Sequence, residues 1–135
     1  RIHCSAMDDL EKIQSAMKQL SPVKSEVSWE KSKSHHGAPQ IILEMKINNK
    51  KNAKKSLEIL GNSVLNQLVG NGLESQIDDD KIFHIRLSLS SLVTGKLRLA
   101  ERSEWTYAVK GKYKIESYPG QEPGEVLLEL ISKIE

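Results

Sequence analysis

Four polar residues alternate along one predicted strand, and their types could form a nucleophilic active site. His84, Arg86, Ser88 and Ser90 are spaced two residues apart, which places their side chains on one face of a β-strand. A histidine, a serine and a nearby carboxylate can together activate a hydroxyl nucleophile. The sequence has no Gly-x-Ser-x-Gly turn, phosphate-binding glycine loop or paired carboxylates to accompany them. The polar face of an amphipathic strand is the simpler interpretation, and we predict no catalytic residues.

Two histidine-containing pairs were considered as metal ligands. His35 and His36 are adjacent in a polar loop, and His3 precedes Cys4, the single cysteine of the chain. A metal site needs three or four converging ligands, and no Cys, His, Asp or Glu at ligand spacing accompanies His35 and His36. His3 and Cys4 lie near Asp8, but in a terminal segment that we expect to be frayed. We therefore predict neither a metal nor a cofactor. A single cysteine cannot form an intramolecular disulfide, so cysteine usage does not indicate the redox compartment.

The densest cluster of lysines is a candidate for contact with an anionic partner. Lys50, Lys51, Lys54 and Lys55 lie in the first turns of a predicted helix, where the helix dipole disfavours cations. Such a cluster would suit lipid head groups or an acidic protein surface. A solvated helix end, capped by a preceding asparagine, is the more usual interpretation of a charge run, and we favour it.

A second basic run lies on a predicted strand close to two tyrosines. Lys110, Lys112 and Lys114 alternate beside Tyr107 and Tyr113, and basic residues interleaved with aromatic residues can bind single-stranded nucleic acid on a sheet. The aromatic signature of RNA-binding sheets is absent. Aromatic residues make up only 4% of the chain, so we expect most of them in the core. The Lys110 to Lys114 sheet face therefore supports an alternative function, the binding of a ligand or of nucleic acid.

These residues would be positioned by elements in the order helix, strand, strand, helix, strand, strand. Apolar residues at intervals of three or four predict a first helix between Met7 and Leu20, with Ser5 as its cap and Pro22 ending it. The same spacing predicts a second helix over residues 51–69, which the glycines at 70–72 stop. Both helices have one apolar face, as expected for helices packed on a sheet.

Alternation of apolar and polar residues predicts the strands. They cover residues 23–31, 41–47, 83–89 and 105–115. The first two form a hairpin across the loop 32–39, and Gly111 predicts a bulge within the last strand. The tail over residues 126–134 fits a helix about as well as a strand, so its type stays open.

Composition limits the class of protein. At 135 residues, with 38% hydrophobic and 28% charged residues, the chain is predicted to be one domain with a core over about 6–116 and a C-terminal extension over 117–135. No apolar run is long enough to cross a bilayer. A net charge of only +2 argues against a dedicated nucleic-acid binder. Because the chain starts at Arg1 without a methionine or signal peptide, we expect a fragment or a processed product.

Several segments of the sequence are similar to a known family. The first helix ends in Leu20-Ser21-Pro22-Val23, a strand carries Ser28-Trp29-Glu30, a hairpin leads into residues 41–44, and a helix begins at residues 52–57. Together with the element order, these segments resemble the periplasmic ferredoxin-like domains of inner-membrane assembly proteins in type IV pili and type II secretion systems. The similarity covers roughly Ala6 to Ile115.

The resemblance implies a scaffold with no active site, which dimerises and aligns an envelope-spanning machine at the periplasmic face of the inner membrane. It would reach the membrane only through an anchor outside this chain, and a cytoplasmic location is the alternative. Trp29 and Trp105 are candidate anchors of the interface, with core packing equally compatible. We therefore predict a two-layer α+β domain that acts as a non-catalytic protein-interaction module, with nucleic acid not expected as a partner. The nucleic-acid or ligand-binding domain is the alternative, and an enzyme ranks third.

Overall fold

The computed structural model of the protein describes residues 1–5, 9–24, 26–33, 37 and 39–134. Its strands are β1 (Ile2–Ser5), β2 (Val27–Lys33), β3 (Pro39–Met45), β4 (Ile82–Leu87) and β5 (Val109–Lys114). Its α-helices are α1 (Leu10–Lys18), α2 (Lys50–Ile59), α3 (Gly61–Gly70), α4 (Leu89–Val93) and α5 (Pro123–Ile134). Two short 3-10 helices cover Glu74–Gln76 and Arg102–Tyr107. His35 and His36, which the sequence predicts not to bind a metal, lie outside the described residues.

The strands form two antiparallel sheets that meet at one point. One sheet has the order β1-β3-β2 and the other pairs β4 with β5. The backbone nitrogen of Arg1 donates to the carbonyl of Lys110 at 2.8 Å, and the Lys110 N–H donates back to the Arg1 carbonyl at 2.9 Å. This reciprocal pair places β1 beside β5, so the strands follow one another in space as β2, β3, β1, β5 and β4.

One face of these sheets builds the core, and the helices pack on it. Ile2, Leu43, Phe83 and Leu87 are fully buried and come from three strands, β1, β3 and β4, on either side of the junction. Buried residues of α1, α2, α3, α4 and α5 belong to the same apolar cluster. The prediction of an α+β protein with helices layered on antiparallel strands is confirmed. We call the other face of the sheets the outer face.

The predicted order of elements differs from the structure at its beginning. A strand, β1, precedes the first helix because Ile2 and Cys4 are buried against Leu43 and Ile41 of β3. Ser5 is therefore part of this strand, and the described start of α1 is capped by Asp9, whose side chain accepts a hydrogen bond from the Lys12 N–H. Such a cap satisfies one of the free N–H groups at a helix start.

The long second helix of the prediction is two helices. Gly61 has a φ of +84°, a conformation that L residues rarely adopt, and it separates α2 from α3. Asn49 caps α2 by accepting hydrogen bonds from the N–H groups of Lys51 and Asn52. The predicted apolar stripe is retained across the break, since Leu57, Val64 and other residues of both helices are buried.

The segment between β4 and β5 is helical where a strand was predicted. Trp105 and Tyr107 belong to the 3-10 helix Arg102–Tyr107, whose start is fixed by a reciprocal capping box between Glu101 and Glu104. The predicted bulge at Gly111 is absent, because Gly111 pairs directly with Ile85 in an unbroken register. The tail, left open between helix and strand, is the helix α5.

Candidate nucleic-acid interface

The outer face of β4 and β5 collects basic side chains from both strands. The register sets Ile82 opposite Lys114, His84 opposite Lys112, and Arg86 opposite Lys110. The neighbours of these residues along each strand, such as Phe83 and Val109, point into the core. We call the set His84, Arg86, Lys110, Lys112 and Lys114 the basic face.

Four of the five members of the basic face form no ion pair among the described residues, and the fifth, His84, pairs with Asp78. Arg86, Lys112 and Lys114 are exposed. Alternate residues of a strand lie roughly 7 Å apart, so the lysines form an evenly spaced row. Their field reaches the next strand, where burial, and after it the charges of Lys110 and Arg1, hold the pKa of His3 below its usual value.

An exposed tryptophan adjoins this row of charges. Trp105 keeps 39% of its surface exposed. The guanidinium carbon of Arg86 lies 4.3 Å from the centroid of its indole ring, and that of Arg102 lies 5.3 Å away. Both distances are typical of a cation–π contact. Tyr107, two residues along the same 3-10 helix, is 64% exposed.

A charged network fixes the helix that carries Trp105. Arg98 donates to both carboxylate oxygens of Glu104 at 3.0 Å, and the hydroxyl of Ser88 donates to Glu104 at 2.8 Å. The Glu101 N–H completes the set at 3.0 Å. The hydrogen bond from Arg98, followed by those from Glu101 and Ser88, lowers the pKa of Glu104 to about 2. Glu104 is therefore ionised at neutral pH and ties β4, α4 and the 3-10 helix together.

A cleft of about 460 Å³ lies between Trp105 and the start of β4. His84 contacts Asp78 there, with 2.8 Å between Nε2 and Oδ2. The bond to His84, and next the hydrogen bond from the Ile82 N–H, hold the pKa of Asp78 below its usual value. The amide side chains of Asn71 and Gln76 also line the cleft.

The residues first considered for catalysis are thus divided between two networks. His84 pairs with Asp78. Ser88 is fully buried, caps α4 and hydrogen-bonds to Glu104 and to Ser90 at 3.2 Å. Nothing in the described structure joins either serine to His84. Among the residues that the structure describes, no group of three or more His, Cys, Asp or Glu residues could hold a metal ion.

The first lysine cluster and Trp29 lie away from the basic face. Lys50 forms an ion pair with Glu116 at 2.8 Å, which also holds the pKa of that carboxyl below its usual value. Lys51, Lys54 and Lys55 are exposed along α2. Trp29 is 57% exposed on β2, the edge strand of the three-stranded sheet. The structure therefore does not bring together the two tryptophans, which were predicted as anchors of one interface.

A second cleft, of about 500 Å³, opens where the two sheets separate beside Arg1. Much of its wall is made of core side chains such as Leu60, Ile85 and Val109. The carboxylate of Glu44 lies at its rim and forms ion pairs with Arg1 at 3.2 Å and with Lys46 at 3.5 Å. Lys110 and Lys112 of the basic face also line this cleft, together with Arg1 and Lys46, so the single carboxylate of Glu44 does not balance its positive charge.

Two residues important to this interface were not singled out from the sequence. Arg102 lies outside the strand predicted over residues 105–115, and its contact with Trp105 arises from the 3-10 helix that contains both residues. The pairing of Asp78 with His84 depends on how the turn before β4 folds back on that strand. The Glu101–Glu104 spacing is the one local signal that could have indicated the helix around Trp105.

Known proteins identify the family of the chain. A family model described as RNA binding matches residues 1–115. A DUF54 protein from Archaeglobus fulgidus has a similar structure, with a TM-score of 0.78 and 24% identity over 98% of this chain and 94% of that one. DUF54 proteins from Methanothermobacter thermautotrophicus and Sulfolobus solfataricus have TM-scores of 0.69 and 0.67, at 20% and 16% identity, over 98% of this chain and 92% and 93% of theirs. These likenesses show a shared fold. No curated protein matches the chain.

The family match corrects several predictions. The resemblance to pilus and secretion assembly domains is wrong, because the matching family is described as RNA binding and the similar structures are archaeal DUF54 proteins. The predicted role as an envelope scaffold at the periplasmic face of the inner membrane depended on that resemblance and is therefore wrong as well. Among the described helices, none is both long and apolar enough to span a bilayer. The expectation of protein partners in place of nucleic acid is also wrong, since the family is described as RNA binding. The chain belongs to this RNA-binding family.

Proposed function

We propose that the protein binds RNA through the basic face and the adjoining Trp105. The observation that carries this proposal is the row Lys110, Lys112 and Lys114, which has no ion pair within the described residues and lies beside an exposed indole. The family description supports the same conclusion. It favours the nucleic-acid alternative drawn from the sequence over the protein scaffold.

The lysine row suits contacts with the phosphate backbone. Lysine side chains neutralise phosphates and release bound counterions, which supplies most of the sequence-independent affinity for nucleic acid. The modest net charge of the whole chain does not oppose this, because three lysines and Arg86 lie close together on the outer face of β4 and β5. A local concentration of charge, rather than the total, sets the field that a phosphate meets.

We infer a binding module without catalytic activity. The nucleophilic set considered from the sequence is not assembled, since Ser88 is committed to Glu104 and α4. His84 and Asp78 form a pair that could act as a base, but no nucleophilic side chain is hydrogen-bonded to His84 in the described structure. A protein that binds RNA without cleaving it needs no nucleophile, so this function does not require Ser88 or Ser90 to react.

Charge removal at two matched positions tests the proposal. The double variant Lys112→Gln, Lys114→Gln removes two charges from the basic face, and Lys54→Gln, Lys55→Gln removes two from exposed positions on α2. Fluorescence anisotropy with a labelled oligoribonucleotide should show about tenfold or greater loss of affinity for the first variant and less than about twofold for the second. Equal loss in both variants, or none in either, would refute the placement of the interface on this face.

A further inference from the structure

The cleft between Trp105 and the start of β4 is lined by residues of two kinds. The Arg86 guanidinium lies over the indole of Trp105, at 4.3 Å from the ring centroid. Polar residues line the cleft as well, namely Asn71, Gln76 and the hydrogen-bonded pair of His84 and Asp78. Its volume of about 460 Å³ falls in the usual range of small-ligand sites, about 300 to 1,000 Å³.

We propose that this cleft receives one unpaired base of the RNA, so that the protein recognises single-stranded RNA at this point. The inference rests on the proposed function, because it assigns a substrate class to the same surface. The base stacks against the paired Arg86 guanidinium and Trp105 indole, and its edge meets the polar residues Asn71, Gln76 and His84 that line the same cleft.

The chemistry of the walls fits a base better than a phosphate. Indole rings and arginine guanidinium groups are the usual surfaces on which unstacked bases lie. The amides and the imidazole offer both donors and acceptors, as the edge of a base requires. The ionised carboxylate of Asp78 would repel a phosphate, whereas a neutral base carries no charge for it to repel.

The register of β4 and β5 connects the cleft to the lysine row. Arg86 is directly opposite Lys110, and His84 is directly opposite Lys112. Paired strands lie about 4.8 Å apart, so a nucleotide whose phosphate contacts the lysines on β5 can place its base over β4. In this arrangement the phosphates contact β5 and the base contacts β4, the neighbouring strand of the same sheet.

A duplex cannot use such a cleft without losing a base pair. In A-form RNA the bases are stacked inside the helix and the deep groove is closed to side chains, so duplexes are recognised by shape and backbone. A base entering the Trp105 cleft must be free of its complement and of its neighbours. The site therefore discriminates between single and double strands by geometry, even where the lysine contacts are the same.

The test compares one RNA sequence of about twelve nucleotides as a single strand and as a blunt duplex. Trp105→Ala should weaken single-strand binding by about 5- to 150-fold, the range expected for loss of one stacked base, and change duplex binding by less than about twofold. Trp105→Phe should recover much of the loss, because it retains a stacking surface. The control Trp29→Ala removes the other exposed tryptophan and should bind both RNAs as the unmodified protein does.

Fluorescence gives a second measurement that does not depend on the stability of the alanine variant. The protein has two tryptophans, so Trp29→Phe leaves Trp105 as the only indole. The single strand should quench its emission at saturation, and the duplex should not. Single-strand binding that depends on Lys112 and Lys114 but neither quenches Trp105 nor weakens in Trp105→Ala would overturn the base site while leaving RNA binding intact. Absence of any RNA binding would overturn the proposed function as well.

Discussion

The salt dependence of RNA binding should fall by a defined amount when two lysines of the basic face are neutralised. For single strands, the logarithm of the affinity falls with the logarithm of the salt concentration with a slope of about −0.7 for each phosphate neutralised. If Lys110, Lys112 and Lys114 each contact one phosphate, the slope is about −2.1 for the unmodified protein. It is about −0.7 for Lys112→Gln, Lys114→Gln.

These slopes translate into affinities that are easily distinguished. Between about 50 and about 200 mM KCl, the unmodified protein should lose affinity about 18-fold and the double variant only about 2.6-fold. If the lysine contribution vanishes near 1 M salt, the same relation makes the variant about 25-fold weaker at about 0.1 M. Further phosphate contacts, for example from Arg102, would steepen both slopes and leave their difference of about 1.4 unchanged.

Fluorescence anisotropy titrations at four KCl concentrations would measure the slopes. Lys54→Gln, Lys55→Gln is the matched control, because both double variants lower the formal net charge from +2 by two units. All four lysines are exposed outside ion pairs of the described residues, so the variants should keep the stability of the parent protein to about 0.5 kcal/mol. The reasoning fails if the slope of Lys112→Gln, Lys114→Gln matches that of the control.

Four further predictions concern the scaffold that holds this surface. Phe83→Ala should lower the free energy of unfolding by about 3 to 5 kcal/mol in urea denaturation, because the ring is fully buried; a cost below about 1 kcal/mol would contradict this packing. Gly111→Ala should cost about 1 to 3 kcal/mol, since its Cβ would lie 2.9 Å from Cγ1 of Ile85. A matching Ile85→Ala in the same chain should make the two costs clearly non-additive. Asn49→Ala should cost about 1 kcal/mol through loss of the α2 cap, with unchanged RNA affinity. The pKa of Glu104, about 2, lies below the unfolded value of about 4.3, so its contribution to stability is present above pH 4.3 and lost as the pH falls towards 2. Acid titration of Glu104→Gln should therefore show a flatter stability profile over that interval, and an identical profile would exclude the network as its cause.

The elements with strong internal periodicity could be predicted from the sequence. The alternation in residues 83–89 predicted β4, and the apolar stripe over residues 51–69 predicted the buried face of α2 and α3. The short strand β1 was missed because four residues carry little pattern, and only pairing with β3 stabilises it. The segment around Trp105 was mistaken for a strand because its capping box uses glutamate on both sides in place of the usual Ser or Thr.

The lysines of the candidate site could be predicted from the sequence, but the residues that lie opposite them could not. Period-two spacing identified Lys110, Lys112 and Lys114 as one surface, and this follows from local geometry alone. That Arg86 and His84 lie opposite them depends on the pairing of two strands more than twenty residues apart. The pairing of β4 with β5 depends on tertiary contacts, and the local sequence pattern of either strand does not predict it. The contact between Arg86 and Trp105 depends on the same choice and on the unexpected 3-10 helix.

The ion pair between Arg1 and Glu44 bears on the path of the RNA strand that we propose for the basic face. The outer face continues from β5 across β1 to β3 and β2, where Glu44 and Glu30 replace the lysines. Glu44 stays ionised, because the hydrogen bond from Arg1 holds its pKa below the usual value. Arg1 and Lys46 are already paired with this carboxylate. A chain of phosphates laid across the sheets would therefore pass from the lysines of β5 to cations that already have an acidic partner. The proposed RNA strand should accordingly follow β5 rather than cross to β3.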